Sequence, residues 1–493
     1  MKSKSNGSKI FFWGGVGTVT GSNFILEVSA AGENSADSKI GRLMIDCGLF
    51  QGGGEAYAKN KEAFPYDPTQ IQTLIVTHGH MDHIGRIPKL VHDGFAGKII
   101  STPETKEIAG VMFDDALKIM TETAKQHGDA PMYARADVDK ALLNWETHPY
   151  HEVFEPFANS LVNVPGNFGI TARLLDAGHI LGSAMVELTR KVAAGESGGA
   201  SDRKIIFTGD TGNTPASIVR DTEPLSGANY VVIDSTYGDR EHEPWEEGTA
   251  KLKEVVKKTI EKKGVLLIPA FSLERTHIIL YELNNMFEKH ELENIPVYLD
   301  TPLANRLMPL YERSTALFND KTQKIIASGD DIFQFPKLQM IKSPIESAKI
   351  ERTANPKIII AGSGMSSGGR IPHHEAIFLP DTNATLLLTG FQSVGTLGRQ
   401  LEEGAKEVTI AGERISVKAH IESIKSFSAH RDVDGLLNLL ETAVDSAGKP
   451  TAEKVFVIHG ELKVALFFTQ RVRDYLGLKA EAPERGKGYE VDF

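Results

Sequence analysis

Three histidines and an aspartate fall within six residues of the sequence, directly after an apolar run. The run Leu74-Ile75-Val76 is typical of a buried strand, and the group that follows it consists of His78, His80, Asp82 and His83. Imidazole and carboxylate groups are ligands that suit zinc and the neighbouring divalent metals, and such a density of them is hard to explain by packing. The pattern therefore indicates a metal site at the end of this strand.

Single polar residues after other apolar runs extend this group. His179 lies between glycines that allow a tight turn, and Asp210 follows the apolar run that ends at Phe207. Alone, either residue could be structural, but in this order they complete a ligand set. Asp46 follows Leu43-Met44-Ile45, and we expect it to orient a ligand histidine by a hydrogen bond; the alternative is a loop cap.

Composition restricts the class of protein. The chain has 493 residues, a formal net charge of -11 and one cysteine, Cys47, which excludes an intrachain disulfide framework and a thiolate-built zinc site. No apolar run approaches the ~20 residues that a membrane helix needs, so we expect a cytoplasmic protein and no membrane partner. The negative charge argues against gripping nucleic acid by bulk electrostatics, so such a substrate would need a local cationic groove and the metals themselves.

The pattern of apolar residues predicts two kinds of architecture. In the first half, Phe24–Val28 with Arg42–Asp46, and Ala184–Arg190 with Lys204–Thr208, read as long hairpins, with a helix at Glu104–Lys125 between them. From about Trp245, strands alternate with helices, which predicts a parallel sheet in a separate α/β domain.

The metal-ligand motifs resemble those of a known family. His78-Gly79-His80-Met81-Asp82-His83, together with Asp46, His179 and Asp210, is similar to the first four motifs of the metallo-β-lactamase superfamily. The resemblance implies that His78, His80, His179 and Asp210 hold one metal and that Asp82, His83 and Asp210 hold a second, which needs one more ligand. Asp82 is also expected among the catalytic residues. These motifs are specific for the fold but give almost no information about the substrate.

Three later motifs resemble those of the β-CASP nucleases within that superfamily. Asp234 follows an apolar run, His430 lies in Ser428-Ala429-His430-Arg431, and His459 follows Val455–Ile458. The resemblance implies that His459 is the missing ligand of the second metal, and that His430 is the general acid, oriented by Asp234. RNA-cutting members have a histidine where DNA-repair members have an apolar residue, so His459 favours RNA.

The resemblance implies a four-layer αβ/βα metallo-β-lactamase domain, residues 1–240 and 421–493, with an inserted β-CASP-like parallel α/β domain, residues 241–420. Two metals bridged by Asp210 would lower the pKa of a water molecule and neutralise charge at phosphorus. We therefore expect a metal-dependent ribonuclease with two divalent ions, zinc first, with manganese or iron as alternatives. The expected partner is single-stranded RNA, and the pattern leaves endo- or exonucleolytic cleavage and the oligomeric state open.

Two glycine-rich loops are candidates for contact with the RNA backbone, since exposed backbone N–H groups and hydroxyls can bind phosphate. The candidate residues are Ser363, Ser366, Ser367, Arg370, Thr396 and Arg399. Among other histidines, His420 reads as an exposed edge residue, and His373 and His374 as surface residues. Two alternative functions remain: hydrolysis of an ester outside nucleic acids, and a catalytically silent RNA-binding scaffold.

Overall fold

The computed structural model describes residues 7–29, 40–158, 168–191 and 202–493. The chain forms two compact units. The first comprises Met1–Ala216, Arg220–Glu241 and His430–Phe493, and the second comprises Ser217–Val219 and His242–Ala429.

The amino-terminal segment of the first unit contains eleven strands and five helices among the described residues. The strands are β1 (Gly7–Gly14), β2 (Asn23–Ser29), β3 (Ile40–Ile45), β4 (Thr73–Ile75), β5 (Lys98–Ser101), β6 (Trp145–Thr147), β7 (Val153–Phe154), β8 (Ile170–Asp176), β9 (Ala184–Arg190), β10 (Arg203–Phe207) and β11 (Tyr230–Asp234). The helices are α1 (Gly53–Lys61), α2 (Met81–Ile84), α3 (Ile87–His92), α4 (Pro103–His127) and α5 (Arg135–Leu143).

The second unit contributes the next eight strands and seven helices. The strands are β12 (Val265–Pro269), β13 (Val297–Asp300), β14 (Leu338–Met340), β15 (Lys357–Ala361), β16 (Thr385–Leu388), β17 (Glu407–Ile410), β18 (Glu413–Ser416) and β19 (His420–Ser423). The helices are α6 (Trp245–Glu261), α7 (Arg275–Glu288), α8 (Pro302–Arg313), α9 (Asp320–Ala327), α10 (Pro344–Ile350), α11 (Ile371–Phe378) and α12 (Leu397–Glu402).

The chain then returns to the first unit for its last five elements. These are α13 (Val433–Glu441), β20 (Lys454–Ile458), α14 (Leu462–Leu476), β21 (Ala480–Glu481) and β22 (Gly488–Asp492). This return explains how His430 and His459 can share a site with residues from the beginning of the sequence.

Two seven-stranded sheets form the centre of the first unit. Their strand orders are β22-β1-β2-β3-β4-β5-β6 and β21-β20-β11-β10-β9-β8-β7. One apolar core contains Phe12 and Leu43 from the first sheet and Val186 and Val232 from the second, so the sheets pack face to face. A second core packs α13 and α14 on the other face of the second sheet. The predicted metallo-β-lactamase fold is confirmed.

Both predicted hairpins pair as antiparallel strands. Strand β2 pairs with β3, with Phe24 opposite Ile45, and β9 pairs with β10, with Val186 opposite Phe207. The predicted connections, at 29–41 and 192–203, lie largely outside the described residues. Strands β3, β4 and β5 then run parallel, so their carboxyl ends meet at one edge of the sheet.

The second unit is built on a six-stranded sheet in the order β14-β13-β15-β12-β16-β19. Its pairs are all parallel, as the alternation of strands and helices predicted. The predicted domain boundary between 420 and 421 falls inside β19, which pairs with β16 and keeps residues up to Ala429 in this unit. The period-two pattern around Ile421 indicates a strand but does not tell which sheet it joins.

One surface assignment was wrong. His374 is fully buried on α11, and its Nε2 lies 2.7 Å from Oδ2 of Asp300, whereas His373 is exposed as predicted. The contact with the buried carboxylate of Asp300 explains why His374 is buried. Sequence spacing could not pair these two residues, because they lie 74 positions apart. Cys47 is buried. No helix among the described residues is long and apolar enough to cross a membrane.

Candidate active site

The ends of strands in both sheets of the first unit carry the candidate ligands. His78 follows β4, and the short helix α2, which begins directly after His80, presents Asp82 and His83. His179 follows β8, Asp210 follows β10, and His459 comes directly after β20. Since the strand ends meet at one edge of the two packed sheets, residues far apart in sequence converge there.

Four side chains form the first group. One ligand atom from each of His78, His80, His179 and Asp210 lies within 4.8 Å of the others. Nδ1 of His80 lies 3.0 Å from Nε2 of His78 and 3.2 Å from Nε2 of His179. Oδ2 of Asp210 lies 3.6 Å and 3.7 Å from the same two Nε2 atoms. Three nitrogens and one carboxylate oxygen therefore face a common point, as in a tetrahedral metal site.

A second group shares the same aspartate. Asp82, His83, Asp210 and His459 again place one ligand atom each within 4.8 Å of one another. Oδ1 of Asp210 lies 3.3 Å from Nε2 of His83 and 3.6 Å from Nε2 of His459, and Oδ2 of Asp82 lies 3.6 Å from the latter. Because Asp210 offers Oδ2 to the first group and Oδ1 to the second, it is placed to bridge two cations.

The donor set fits divalent metal ions. Nε2 of His83 and Oδ1 of Asp210 are buried and lie 3.3 Å apart, but neither makes a hydrogen bond of normal geometry among the described residues. Burial lowers the pKa of His78 well below its usual value and lowers the pKa values of His80 and His459 to about 3. These imidazoles are therefore neutral, which is the form that binds metal. A buried polar group without a partner is costly, and a bound cation would remove that cost.

Asp46 holds one of the histidines in place. Its Oδ1 accepts a hydrogen bond from the backbone N–H of Thr77 at 2.8 Å, and its Oδ2 accepts one from the Thr77 hydroxyl at 2.8 Å. The same Oδ2 lies 2.7 Å from Nδ1 of His83, which leaves Nε2 of that ring directed at the second group. Burial opposes the charged imidazole, but the carboxylates of Asp210 and Asp46 hold the pKa of His83 above its usual value.

Two hydroxyl residues support the group in ways that the sequence did not indicate. Oγ of Ser22 lies 3.0 Å from Nδ1 of His459, across 437 positions of sequence, and so orients the ring. Oγ of Ser183 accepts a hydrogen bond from the backbone N–H of His179 at 3.0 Å. The only available signal was that each serine lies beside a glycine-containing motif.

His430 and Asp234 lie beside the two groups. Nδ1 of His430 is 3.9 Å from Oδ2 of Asp234 and 3.9 Å from Oδ2 of Asp210, and its side chain keeps 22% of its surface exposed. Thr211 fixes Asp234 by donating its backbone N–H and its hydroxyl to Oδ1 at 3.2 Å and 2.7 Å. Although burial opposes the charged imidazole, the neighbouring carboxylates raise the pKa of His430, Asp234 foremost.

The two candidate RNA-binding loops contact each other within the second unit. The backbone N–H of Gly398 donates to the carbonyl of Met365 at 3.1 Å, and that of Leu397 donates to the Ser367 hydroxyl at 3.4 Å. The loop that follows β15 and the loop before α12 therefore form one surface. The sequence offered them as separate candidates.

The candidate side chains in these loops differ in availability. Ser366 is buried, with its hydroxyl 2.5 Å from Oε1 of Glu375, and Thr396 caps α12 through its hydroxyl. Both have structural roles in the observed conformation. Ser367 is exposed, and Ser363 is partly exposed with a hydroxyl that donates to the Ser367 carbonyl. Arg370 forms an ion pair with the buried Asp300.

Three family models match the chain. Residues 39–157 match the metallo-β-lactamase superfamily, residues 276–401 the β-CASP domain, and residues 414–483 the Zn-dependent metallo-hydrolase RNA specificity domain. The first overlaps the first histidine cluster, the second the loops just described, and the third contains His430 and His459.

Curated relatives agree with the family models. The chain is 34% identical to ribonuclease TTHA0252 of Thermus thermophilus over 85% of this chain and 88% of that protein. It is 29% identical to an RNase J-like protein of Methanocaldococcus jannaschii over 91% and 94% of the two chains. It is also 27% identical to the transcription termination factor FttA of Methanosarcina mazei, over 90% of this chain and 66% of that longer protein. These matches, with which the ligand geometry agrees, show that this chain belongs to the β-CASP ribonuclease group of the metallo-β-lactamase superfamily.

Proposed function

We propose that the chain is a ribonuclease that hydrolyses the phosphodiester backbone of single-stranded RNA with two divalent metal ions. The observation that carries the proposal is the pair of ligand groups joined by Asp210, in which His459 completes the second group. The match of residues 414–483 to an RNA specificity domain and the similarity to a ribonuclease support RNA as the substrate.

We assign the first metal to His78, His80, His179 and Asp210, and the second to Asp82, His83, Asp210 and His459. When bound, two such ions supply hydroxide from water at neutral pH and neutralise charge that develops on the phosphate oxygens. Zinc is our first choice, because nitrogen and oxygen ligands at tetrahedral spacing suit it, although the same set also accepts manganese or iron.

The protein's own side chains orient the ligands and move the proton. Asp46 and Ser22 hold the rings of His83 and His459, each through Nδ1, so that the Nε2 atoms would be available to hold the second metal. We assign His430 as the general acid that protonates the leaving ribose oxygen, since it is more exposed than the ligand histidines His83 and His459 and lies beside two carboxylates. Asp234, fixed by Thr211, orients its ring and stabilises its charged form.

The loops of the second unit would contribute contacts to the RNA backbone. Among the sequence candidates, the exposed Ser367 and the partly exposed Ser363, Arg370 and Arg399 are the side chains that a ligand could reach without rearrangement. We propose that the first unit is the metallo-β-lactamase domain and the second the inserted β-CASP domain.

Two other functions are consistent with the fold. A hydrolase of another ester would use the same metal ligands, and a silent scaffold would keep the fold without catalysis. The complete set of seven ligands argues against the scaffold, since nothing in RNA binding alone requires histidine nitrogens to converge in this way.

The test is incubation of metal-loaded protein with single-stranded RNA labelled at the 5′ or the 3′ end, beside a panel of non-nucleic-acid esters. We expect cleavage of RNA, and the lengths of the labelled products distinguish internal cleavage from degradation that begins at one end. Hydrolysis of the esters alone would replace the proposal by the first alternative. Binding of RNA without cleavage would replace it by the second.

A further inference from the structure

Three cations surround one aromatic ring in the first unit. Nζ of Lys59 lies 3.9 Å from the ring centre of Phe50, and the guanidinium carbons of Arg485 and Arg86 lie 5.5 Å and 5.9 Å from it. These residues come from α1, from the turn before β22 and from the turn between α2 and α3. The fold therefore concentrates positive charge at one place in a protein whose net charge is -11.

The three cations are not paired with carboxylates in the part of the chain that the structure describes. Within the described residues, none of them lies within ion-pair distance of an acidic side chain, whereas Lys61 on the same helix pairs with Asp129. Partial burial lowers the pKa of Lys59, and the positive charge of Arg485 lowers it further. Glu62 and Glu55 offset part of the repulsion at Lys59, but three neighbouring cations without an ion-pair partner still favour the binding of an anion.

Arg86 gives the cluster a built, buried component. It is 7% exposed, its Nη2 donates to the carbonyl of Glu62 at 3.1 Å, and its buried Nε has no hydrogen-bond partner among the described residues. Its guanidinium also lies 4.3 Å from the ring centre of Phe64. Holding a charged group in this position is costly unless an anion compensates it.

An aromatic cavity adjoins this cluster on the outer face of the first sheet. The cavity has a volume of about 260 Å³, and its walls include Phe11, Trp13 and Tyr66. Nε of Arg485 donates to the carbonyl of Trp13 at 2.9 Å, and the ring centre of Tyr66 lies 5.3 Å from that of Phe64. Aromatic faces beside cations are the surface on which single-stranded nucleic acid binds, since bases stack and phosphates pair with the charges.

The cluster is also attached to the ligand-bearing helix. The loop that contains Phe50 makes two backbone hydrogen bonds to α2. The N–H of Cys47 donates to the carbonyl of His83 at 2.8 Å, and the N–H of Leu49 donates to the carbonyl of Met81 at 2.9 Å. Arg86 follows His83 by three residues. The loop that carries the central ring of the cluster is therefore fixed directly to the helix that carries Asp82 and His83.

We propose that Lys59, Arg86 and Arg485 bind a backbone phosphate of the single-stranded RNA substrate, with an adjacent base against Trp13 in the aromatic cavity. The inference rests on the proposed function, which it extends by a binding site away from the metal ligands. The site holds the strand and takes no part in bond cleavage.

The test compares charge removal and base-contact removal in the full-length, metal-loaded enzyme. Arg485→Gln and Lys59→Gln should each raise KM for a long oligoribonucleotide severalfold and leave kcat unchanged. Each should also reduce the slope of log affinity against log salt, by up to about 0.7, the value for one phosphate of a single strand. Trp13→Leu should weaken affinity without changing that slope, because a stacking contact carries no net charge.

The matched controls are Lys61→Gln, which removes the same charge from the same helix at a residue that already has a partner, and a nitrophenyl phosphodiester too small to reach the cluster. We expect Lys61→Gln to change neither KM nor the slope, and the three test variants to hydrolyse the small ester at the rate of the unaltered enzyme. Equal slopes in Arg485→Gln, Lys59→Gln and Lys61→Gln would overturn the site while leaving the ribonuclease assignment intact. A protein that neither binds nor cleaves RNA would instead remove the assignment itself.

Discussion

His430 and His459 both lie at the candidate metal site, but their surroundings favour different roles. Nε2 of His459 faces carboxylate oxygens of Asp82 and Asp210, and Ser22 holds its other nitrogen, so it has the position of a ligand. His430 is more exposed and lies 3.9 Å from two carboxylates, which is a looser arrangement. The difference can be measured.

Replacement of His430 by alanine should leave both metals bound and lower the rate of RNA cleavage by roughly 10²–10⁴, the usual contribution of a positioned acid. Asp234→Asn should give a smaller loss, since the imidazole remains but loses its carboxylate. A nitrophenyl phosphodiester, whose leaving group needs little protonation, should be affected far less than RNA. His459→Ala is the comparison and should cost metal and damage both substrates. Loss of metal from His430→Ala would show that this histidine is a ligand.

Asp46 acts through His83, so its replacement tests orientation alone. Asp46→Asn keeps the size of the side chain but replaces the oxygen charge that faces Nδ1 of His83. We expect the affinity for the second metal to fall by about 10–100-fold, the range observed when such orienting partners are lost. Metal content measured against free metal concentration gives the value. Asp445→Asn, at an exposed loop carboxylate, is the control, and equal affinities in the two variants would contradict the role.

At the scale of elements, the loop that follows β3 is packed directly against the ligand helix α2. A Cβ at Gly48 would lie 1.6 Å from the carbonyl oxygen of Asp82, closer than any real contact. Gly48→Ala should therefore displace α2 and reduce metal binding and activity together, which metal analysis of the purified variant would show. Gly110→Ala, inside α4 where the nearest atom to a new Cβ is a Leu142 methyl at 3.9 Å, should instead stabilise the protein by about 0.5–1 kcal/mol. Full metal content in Gly48→Ala would show that the loop after β3 can move enough to accept the new Cβ without displacing α2.

The loop after β15 depends on a buried acid in α11. Burial raises the pKa of Glu375 from 4.5 to about 7, and its Oε1 lies 2.5 Å from the hydroxyl of Ser366. Because the folded-state pKa is above the unfolded one, the native state keeps a proton that the unfolded state has released. Stability should therefore fall as the pH rises from 4.5 towards 7.

Glu375→Gln should remove this contribution while keeping an acceptor for Ser366. The difference in unfolding free energy between the two proteins should shift by about 2–4 kcal/mol in favour of the variant across that pH range. Denaturant unfolding at several pH values measures it. A difference that does not change with pH would show that Glu375 is ionised in the folded protein.

For the whole molecule, the sequence predicted those features that appear as polar residues at strand ends or as a regular spacing of apolar residues. The family, the fold, the paired hairpins and the parallel sheet of the second unit were predicted from motifs and alternation, and the structure brings the predicted ligands into two groups. The sequence could not predict contacts that form only on folding, such as those of Ser22 with His459 or of His374 with Asp300. Lys59, Arg86 and Arg485 likewise have no pattern in common, since only the fold brings them to one ring.

Paired metals at this site, as we propose, hydrolyse RNA. The most direct measurement is the initial rate of cleavage of RNA and of DNA of the same sequence while divalent metal is titrated into metal-free protein. We predict that activity saturates at two metals per chain and that RNA is cleaved at least about tenfold faster, a difference of about 1.4 kcal/mol in transition-state free energy. Equal rates on RNA and DNA, or full activity with one metal, would contradict a two-metal ribonuclease.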